Sequence, residues 1–262
     1  MSGWQLSNDA PTAYTRYALP FMEPWTDDLI TQGLCKTGDR VLDIACGTGF
    51  VASRVNLVSK AECKVTGIDV NEAMLNTARK NTLIEWHLGS ATALPFEDGS
   101  FDVALCQQGL QYFPDRPAAM REIARVLTPG GRVSLCVWGS LDRQIFLAAF
   151  VDGVGTFFGP EAKAAFDAPC SLNTADELRR LASDAGLKNI HVRFEHKTMR
   201  FPGATELAAG FIQASPVAGQ FLASSDEKRA AFAEHVGDRL KSYIDDAGLA
   251  APLENHFLTA TR

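Results

Sequence analysis

The sequence predicts a doubly wound α/β protein, a largely parallel sheet with helices on both faces. Three observations carry this. Short apolar segments alternate with amphipathic helical segments between residues 40 and 138. The first apolar segment ends in an acid, Asp43, and runs through a glycine loop into a helix. The 262 residues are 46% hydrophobic and 21% charged, which is enough apolar matter for one large domain.

The elements follow in order. Residues 1–33 read as a helical cap rich in aromatics, with Trp4, Tyr14, Tyr17, Phe21 and Trp25. Residues 34–262 read as one domain. RVLDIA (40–45) is a short apolar strand and GFVASRVNLV (49–58) the helix behind it. KVTGIDV (64–70) is a second strand, after which Asn71 can cap a helix carrying Met74, Leu75 and Ala78. IEWHLG (84–89) and FDVALCQQ (101–108) are the third and fourth strands. Asp115 to Leu127 is helical, with Met120, Ile123, Ala124 and Leu127 on one face. TPGG (128–131) predicts a turn and RVSLCVW (132–138) a fifth strand. Thr174 and Glu177 form a capping box for a helix that Gly186 closes. Residues 189–201 and 254–262 read as the last two strands, and the stretches near 139–172 and 202–253 as helical insertions.

Composition narrows the function. The net charge is -6, which argues against a general nucleic-acid binder. No apolar run reaches the roughly 18 residues of a membrane span. MSGWQLSNDAP lacks the basic start and apolar core of a secretory signal. The six cysteines form no CxxC pair and read as buried free thiols in a reducing cytoplasm. No histidines pair at i,i+4, and His191 and His196 fall on opposite faces of a strand, so no metal site is expected.

The chemistry lies in VLDIACGTGF (41–50). Gly47 and Gly49 allow close backbone approach, and the helix behind them offers free N–H groups, so a nucleotide-like ligand is expected. Gly47-x-Gly49-x-x-Ala52 fits a dinucleotide pattern, with Asp69 at the distance of a ribose-binding acid. Asp43 separates the alternatives. A carboxylate four residues before the first glycine repels a pyrophosphate. It favours the ammonium and sulfonium of S-adenosyl-L-methionine (SAM), which has no phosphate.

With these residues, the chain resembles the class I SAM-dependent methyltransferases. VLDIACGTGF resembles their first motif and VTGIDVNEAML (65–75) the next. LPFEDGSFDVALCQQGLQYFPD (94–115) and REIARVLTPGGRVSLCVW (121–138) match later motifs in order and spacing. The nearest branch is that of the ubiquinone/menaquinone-biosynthesis methyltransferases and their small-molecule relatives. The resemblance implies a Rossmann-like, seven-stranded sheet whose last strand is antiparallel. It implies that Asp43, Ala45, Gly47, Thr48 and Gly49 surround the methionine end of SAM. Asp69 would hold the ribose, and Val70 and Met74 would flank the adenine. Ser90 and Ala91 stand where relatives present an acid to the adenine amino group, and Gln107 matches a position near the sulfonium.

One departure bears on mechanism. Many relatives carry histidines where this chain has Gln111 and Tyr112 in LQYFPD, so no histidine base is evident. Methyl transfer is an in-line displacement at an activated sulfonium, and alignment with desolvation suffices for a good nucleophile. Tyr17, Gln108 and Tyr112 are candidates for orienting the acceptor. Ligands of doubly wound sheets bind at the carboxyl ends of the strands. There the insertions and the N-terminal aromatics should enclose an apolar pocket from Tyr14, Tyr17, Phe21, Trp25, Gln108, Tyr112, Trp138, Phe146 and Phe211. Phe146, Phe150 and Phe157, helically spaced, read more readily as core than as pocket, and so does Trp25. The expected protein is a cytoplasmic methyltransferase of a small, partly apolar or aromatic metabolite, a monomer or homodimer that binds no nucleic acid. The alternative is a non-catalytic SAM-fold protein or partner subunit. Asp69→Ala separates site from scaffold by its effect on SAM binding. CQQG after the fourth strand lacks the [DNS]PP[YFW] signature of nucleic-acid methyltransferases.

Overall fold

The computed structural model describes residues 10–262, so Trp4 lies outside the described residues. The strands are β1 (Arg40–Ile44), β2 (Lys64–Asp69), β3 (Glu85–Leu88), β4 (Phe101–Gln107), β5 (Leu127–Trp138), β6 (Lys188–Phe201), β7 (Ile244–Asp245) and β8 (Gly248–Thr261). They form one sheet in the order β3-β2-β1-β4-β5-β8-β6, with the two-residue β7 paired to β8. The first five run parallel, and β8 is antiparallel to both β5 and β6. This is the Rossmann-like arrangement expected, with a short eighth strand added.

The helices are α1 (Ala10–Ala13), α2 (Leu19–Gln32), α3 (Phe50–Val58), α4 (Glu72–Ala78), α5 (Arg116–Val126), α6 (Ile145–Phe158), α7 (Pro160–Ala164), α8 (Ala175–Asp184), α9 (Ala204–Phe211), α10 (Ala218–Leu222) and α11 (Asp226–Arg239). A π-helical turn, Tyr14–Ala18, joins α1 to α2. The sequence caps are in place. Asn71 accepts from the Ala73 and Met74 N–H groups, Asp115 from Ala118, and Thr174 from Glu177. Such caps contribute about 1 kcal/mol each.

Side chains alternate between the two faces of the sheet. One face buries Val41, Val103, Leu105, Cys136 and Phe257 against α2, α3, α6 and α11. The other buries Leu42, Ile44, Ala104, Leu135 and Leu258 against α5 and α8. Trp25 is fully buried on the first face. Phe150 is also fully buried and meets Phe166, Phe211 and Phe232 edge-on. Each such ring contributes on the order of 2 kcal/mol by leaving water. Phe157 is half-buried against Phe232.

Two boundaries differ from expectation. Thr128–Gly131 lies inside β5 as an irregularity, with Gly130 at φ +77° and its N–H given to the Arg262 carbonyl O. Also, β8 begins at Gly248 rather than near 254. Leu249, Ala251 and Leu253 are buried in alternation and pair along β6, so a strand period replaces the helical tail expected there.

Candidate functional site

A cavity of about 530 Å³ lies at the carboxyl ends of the parallel strands. Its wall is built from the ends of the strands and the loops beyond them: Ala45 and Gly47 after β1, Asp69 to Asn71 at β2, Gly89 to Thr92 after β3, and Gln107 to Gly109 at β4. Trp138 closes β5, and Leu253 comes from β8. The helical segments supply the roof: Tyr14, Ala18, Phe21 and Met22 from the N-terminal side, Gln144, Phe146 and Leu147 from around the start of α6, and Phe211 and Ala214 from α9 and the turn after it. Topology thus brings together residues as far apart as Tyr14 and Leu253.

One end is shaped by the glycine loop. The backbone turns left-handed at Ala45 (φ +57°), Gly47 (φ +55°) and Gly49 (φ +82°). Asp69 accepts the Gly47 N–H on Oδ2 at 2.9 Å and the Asn71 N–H on Oδ1 at 2.8 Å. Each oxygen keeps lone-pair capacity for a second donor at the cavity wall. Burial raises the Asp69 carboxyl above its usual range, opposed by these N–H groups. Val70, Met74, Ser90 and Ala91 line the same end, and the Ser90 hydroxyl is shared with Thr92 at 2.8 Å.

Asp43 is placed differently from a residue that faces a ligand. It is 1% exposed, lies beneath the loop rather than on the wall, and accepts the Ala52 N–H at 3.0 Å. Burial lifts its carboxyl to about 8, and the neighbouring Asp69 adds to the rise. Thr48 is half-buried and forms no part of the wall.

Gly49 and Tyr17 also lie away from the cavity wall. Gly49 does not face the cavity. A Cβ there would overlap the Trp86 indole, so its close approach is to a side chain of β3. Tyr17 does not reach the acceptor end. Its ring lies flush on Gly210 of α9, where a Cβ would stand. Trp25, read both as pocket and as core, is core.

The other end of the cavity is aromatic, with Phe21, Trp138, Phe146 and Phe211 beside Gln108 and Tyr112. Phe21 stacks on Phe146 at 5.1 Å, and Phe211 meets both edge-on. Gln107 ties β4 to α2, donating to the Met22 carbonyl at 2.7 Å and accepting from Thr26 at 2.8 Å. Burial pushes the Tyr112 hydroxyl well above its usual value. Among the described residues the wall contains no Lys, Arg or His.

Sequence reasoning missed two features. Tyr14 was expected in the acceptor pocket, but its hydroxyl lies by Gly47, and burial together with Asp69 and Asp43 pushes it up. Asn71 reads as a helix cap, yet it also lines the cavity. No local pattern marks either, since both depend on contacts between distant segments.

Comparison with known proteins agrees with this architecture. A family model described as a methyltransferase domain matches residues 42–135. A 2-phytyl-1,4-naphtoquinone methyltransferase of Synechococcus elongatus is 36% identical over 118 residues, 42% of this chain and 51% of that protein. The chain thus spans about half the length of the first curated relatives it matches. A demethylmenaquinone methyltransferase of Staphylococcus aureus is 32% identical over 174 residues, 60% of this chain and 71% of that one. Among solved structures, a Haemonchus contortus phosphoethanolamine N-methyltransferase 2 in complex with SAM superposes with a TM-score of 0.62 at 21% identity. That match covers 98% of this chain and 58% of that one.

Proposed function

Because the chain belongs to the class I SAM-dependent methyltransferase family, we propose that it transfers the methyl group of SAM to a small, uncharged, ring-bearing metabolite held in the cavity. The observation that carries this is the cavity's division. A polar end centred on Gly47 and Asp69 passes into an aromatic end that, among the described residues, has no cationic side chain. Quinone rings, named for two of the relatives, fit the chemistry of that second end.

The donor set fits SAM. Asp69 offers two carboxylate oxygens, each already fixed by a backbone N–H and each able to accept a ribose hydroxyl. Gly47 has no Cβ to obstruct the loop, and Val70, Met74 and Ala91 make an apolar seat for an adenine. SAM, when bound, supplies a methyl group already activated on a sulfonium. Asp43 is a buried acid near that end, whose ionised form an ammonium would favour.

The chain's own contribution to the reaction is alignment and exclusion of water. Phe21, Trp138, Phe146 and Phe211 hold a flat ring and keep bulk water from the nucleophile. Gln108 and Tyr112 orient it. Among the described residues no charged base lines this end, so the acceptor's nucleophile is one that needs little help, such as a phenolate or an enolate carbon. The helical segments around the site act as a lid. Among the described residues no helix is long and apolar enough to cross a membrane, and we place the protein in the cytoplasm.

The test is incubation with methyl-labelled SAM and a metabolite extract of the source organism, read by mass spectrometry. One dominant labelled small molecule is expected, and it is lost in Asp69→Ala together with SAM binding. SAM binding without any labelled product would refute methyl transfer, and unchanged affinity in Asp69→Ala would refute the cofactor assignment.

A further inference from the structure

The two ends of the cavity differ in how far they open. At the aromatic end the wall is shut off from bulk water. Gln144 and Phe146 are 0% and 1% exposed, and Phe21, Leu147, Ala214 and Leu253 are buried as well. Among the described residues the exposed members of the wall are Val70, at 52%, and Pro114. Both stand on the cofactor side. Val70 follows Asp69 at the end of β2. Pro114 follows Phe113, which packs in one apolar cluster with Ala45, Ile68 and Ala91. The way in from solvent therefore runs along the seat of SAM.

Two polar side chains of the wall close its seams. Gln144 Nε2 donates to the Glu254 carbonyl O at 2.5 Å, and its Oε1 accepts the Glu254 N–H at 3.4 Å, which ties β8 to the start of α6. Gln107 ties β4 to α2 through the Met22 carbonyl and the Thr26 hydroxyl. Behind the wall the packing is solid. Phe146 and Phe211 are backed by Phe150, whose ring centroid lies 5.9 Å and 5.0 Å from theirs. Phe150 is backed in turn by Phe166 at 5.4 Å and Phe232 at 5.7 Å, and all three are fully buried. Interiors packed in this way hold few voids larger than a water molecule. The cavity of about 530 Å³ has to hold SAM and the acceptor together, whereas a pocket for one drug-sized ligand already takes roughly 300–1,000 Å³.

We propose that the aromatic end is a blind chamber whose depth is set by Phe150, so that the acceptor is a compact ring compound without a long alkyl chain. The proposal rests on the reading of this end as the acceptor site. A ring with a short substituent fits beside Phe21, Phe146 and Phe211. A longer chain meets Phe150 in one direction and SAM in the other. Phe150 lines no part of the cavity; it is a positioning residue that holds the Phe146 and Phe211 rings in place.

The experiment titrates 4-methylphenol, 4-butylphenol and 4-octylphenol by calorimetry into the full chain saturated with S-adenosylhomocysteine. In an open groove each added methylene raises affinity about fourfold. Here 4-octylphenol should bind at least about tenfold more weakly than 4-butylphenol, as forcing extra methylenes into a filled core does. Phe150→Ala empties the volume of a ring behind the wall and should raise the affinity for 4-octylphenol, relative to 4-methylphenol, at least about tenfold. Loss of a buried ring also destabilises the fold, so Phe211→Ala, at a half-buried position of the wall, gives the same readout by a second route. A merely structural role for these rings would weaken all the phenols alike. Affinity for S-adenosylhomocysteine should stay unchanged throughout, which reports a folded site. A parent that binds 4-octylphenol more tightly than 4-butylphenol overturns the proposal, and so does a chain-length limit that both variants leave in place. A parent that binds none of the phenols overturns the ring-binding reading and this inference with it. Methyl transfer is scored separately with methyl-labelled SAM. Transfer to a long-chain acceptor sinks this inference alone, whereas a chain-length limit without any transfer sinks the enzymatic reading alone.

Discussion

Asp43 accepts the Ala52 backbone N–H at 3.0 Å beneath the glycine loop, and burial lifts its carboxyl to about 8. In the unfolded chain the same group titrates near ~4. Between these values the folded protein holds a proton that the unfolded chain has lost. The stability tied to this group is therefore full below about pH 4 and is lost as pH rises through 8. Asp43→Asn keeps an oxygen for the Ala52 N–H and cannot ionise. Relative to the parent, it should gain stability from near zero at pH 4 to on the order of 5 kcal/mol at pH 9, while binding SAM more weakly. Urea unfolding of both proteins at pH 5 and pH 9 measures this. A difference that does not change with pH would mean Asp43 is ionised throughout.

The Tyr17 ring occupies the space that a side chain at Gly210 would need, pinning the π-helical turn to α9. Gly210→Ala sets two effects against each other. Alanine in a helix interior is favoured by about 1 kcal/mol, and overpacking costs about 1–3 kcal/mol. The overlap involves the ring edge rather than a flexible chain end, so the second should win. A net loss of about 1 kcal/mol is expected in thermal unfolding, with faster release of S-adenosylhomocysteine in stopped flow. A stabilised variant with unchanged release would show that this contact does not hold the roof.

Much of the fold between residues 40 and 138 was legible because its signals are local. A run such as RVLDI can only be a short buried strand, and Asn71, Asp115 and Thr174 cap helices through atoms two or three residues away. Five of the residues expected around the cofactor also owe their places to local structure. Ala45, Gly47, Asp69 and Val70 stand at or just past strand ends, Met74 lies on α4, and all five line the cavity. The misplaced residues owe their positions to distant partners. Gly49 answers to Trp86, and Tyr17 to Gly210. Asp43 reads as a charge, because a sequence shows an acid but not the water it loses on folding.

Gly49 and Asp69 separate scaffold from site. At φ +82°, and with the Trp86 indole where its Cβ would stand, Gly49 serves the packing of β3 and the start of α3. Gly49→Ala should lose about 2–4 kcal/mol of stability from strain and overpacking. Asp69→Ala should lose less stability and nearly all SAM affinity. Chemical denaturation and calorimetry on the two variants check this. The assignment fails if Asp69→Ala binds SAM normally, or if Gly49→Ala is as stable as the parent.

The aromatic end sets a rule about charge. Among the described residues the wall carries one carboxylate, Asp69, and no Lys, Arg or His to meet an anion. An anionic ring would have to give up its hydration without a partner, which costs several kcal/mol, whereas a neutral isostere loses far less. In the presence of S-adenosylhomocysteine, 1-naphthamide should therefore bind at least about tenfold more tightly than 1-naphthoate. The gap should shrink as pH falls toward ~4, where the naphthoate itself becomes neutral. Competition measured at pH 8 and pH 5 tests both parts, because only the anion's affinity should change with the ligand's own titration. Equal affinities at pH 8 would mean that a cation reaches the acceptor end, and the class of acceptor would then have to include acids.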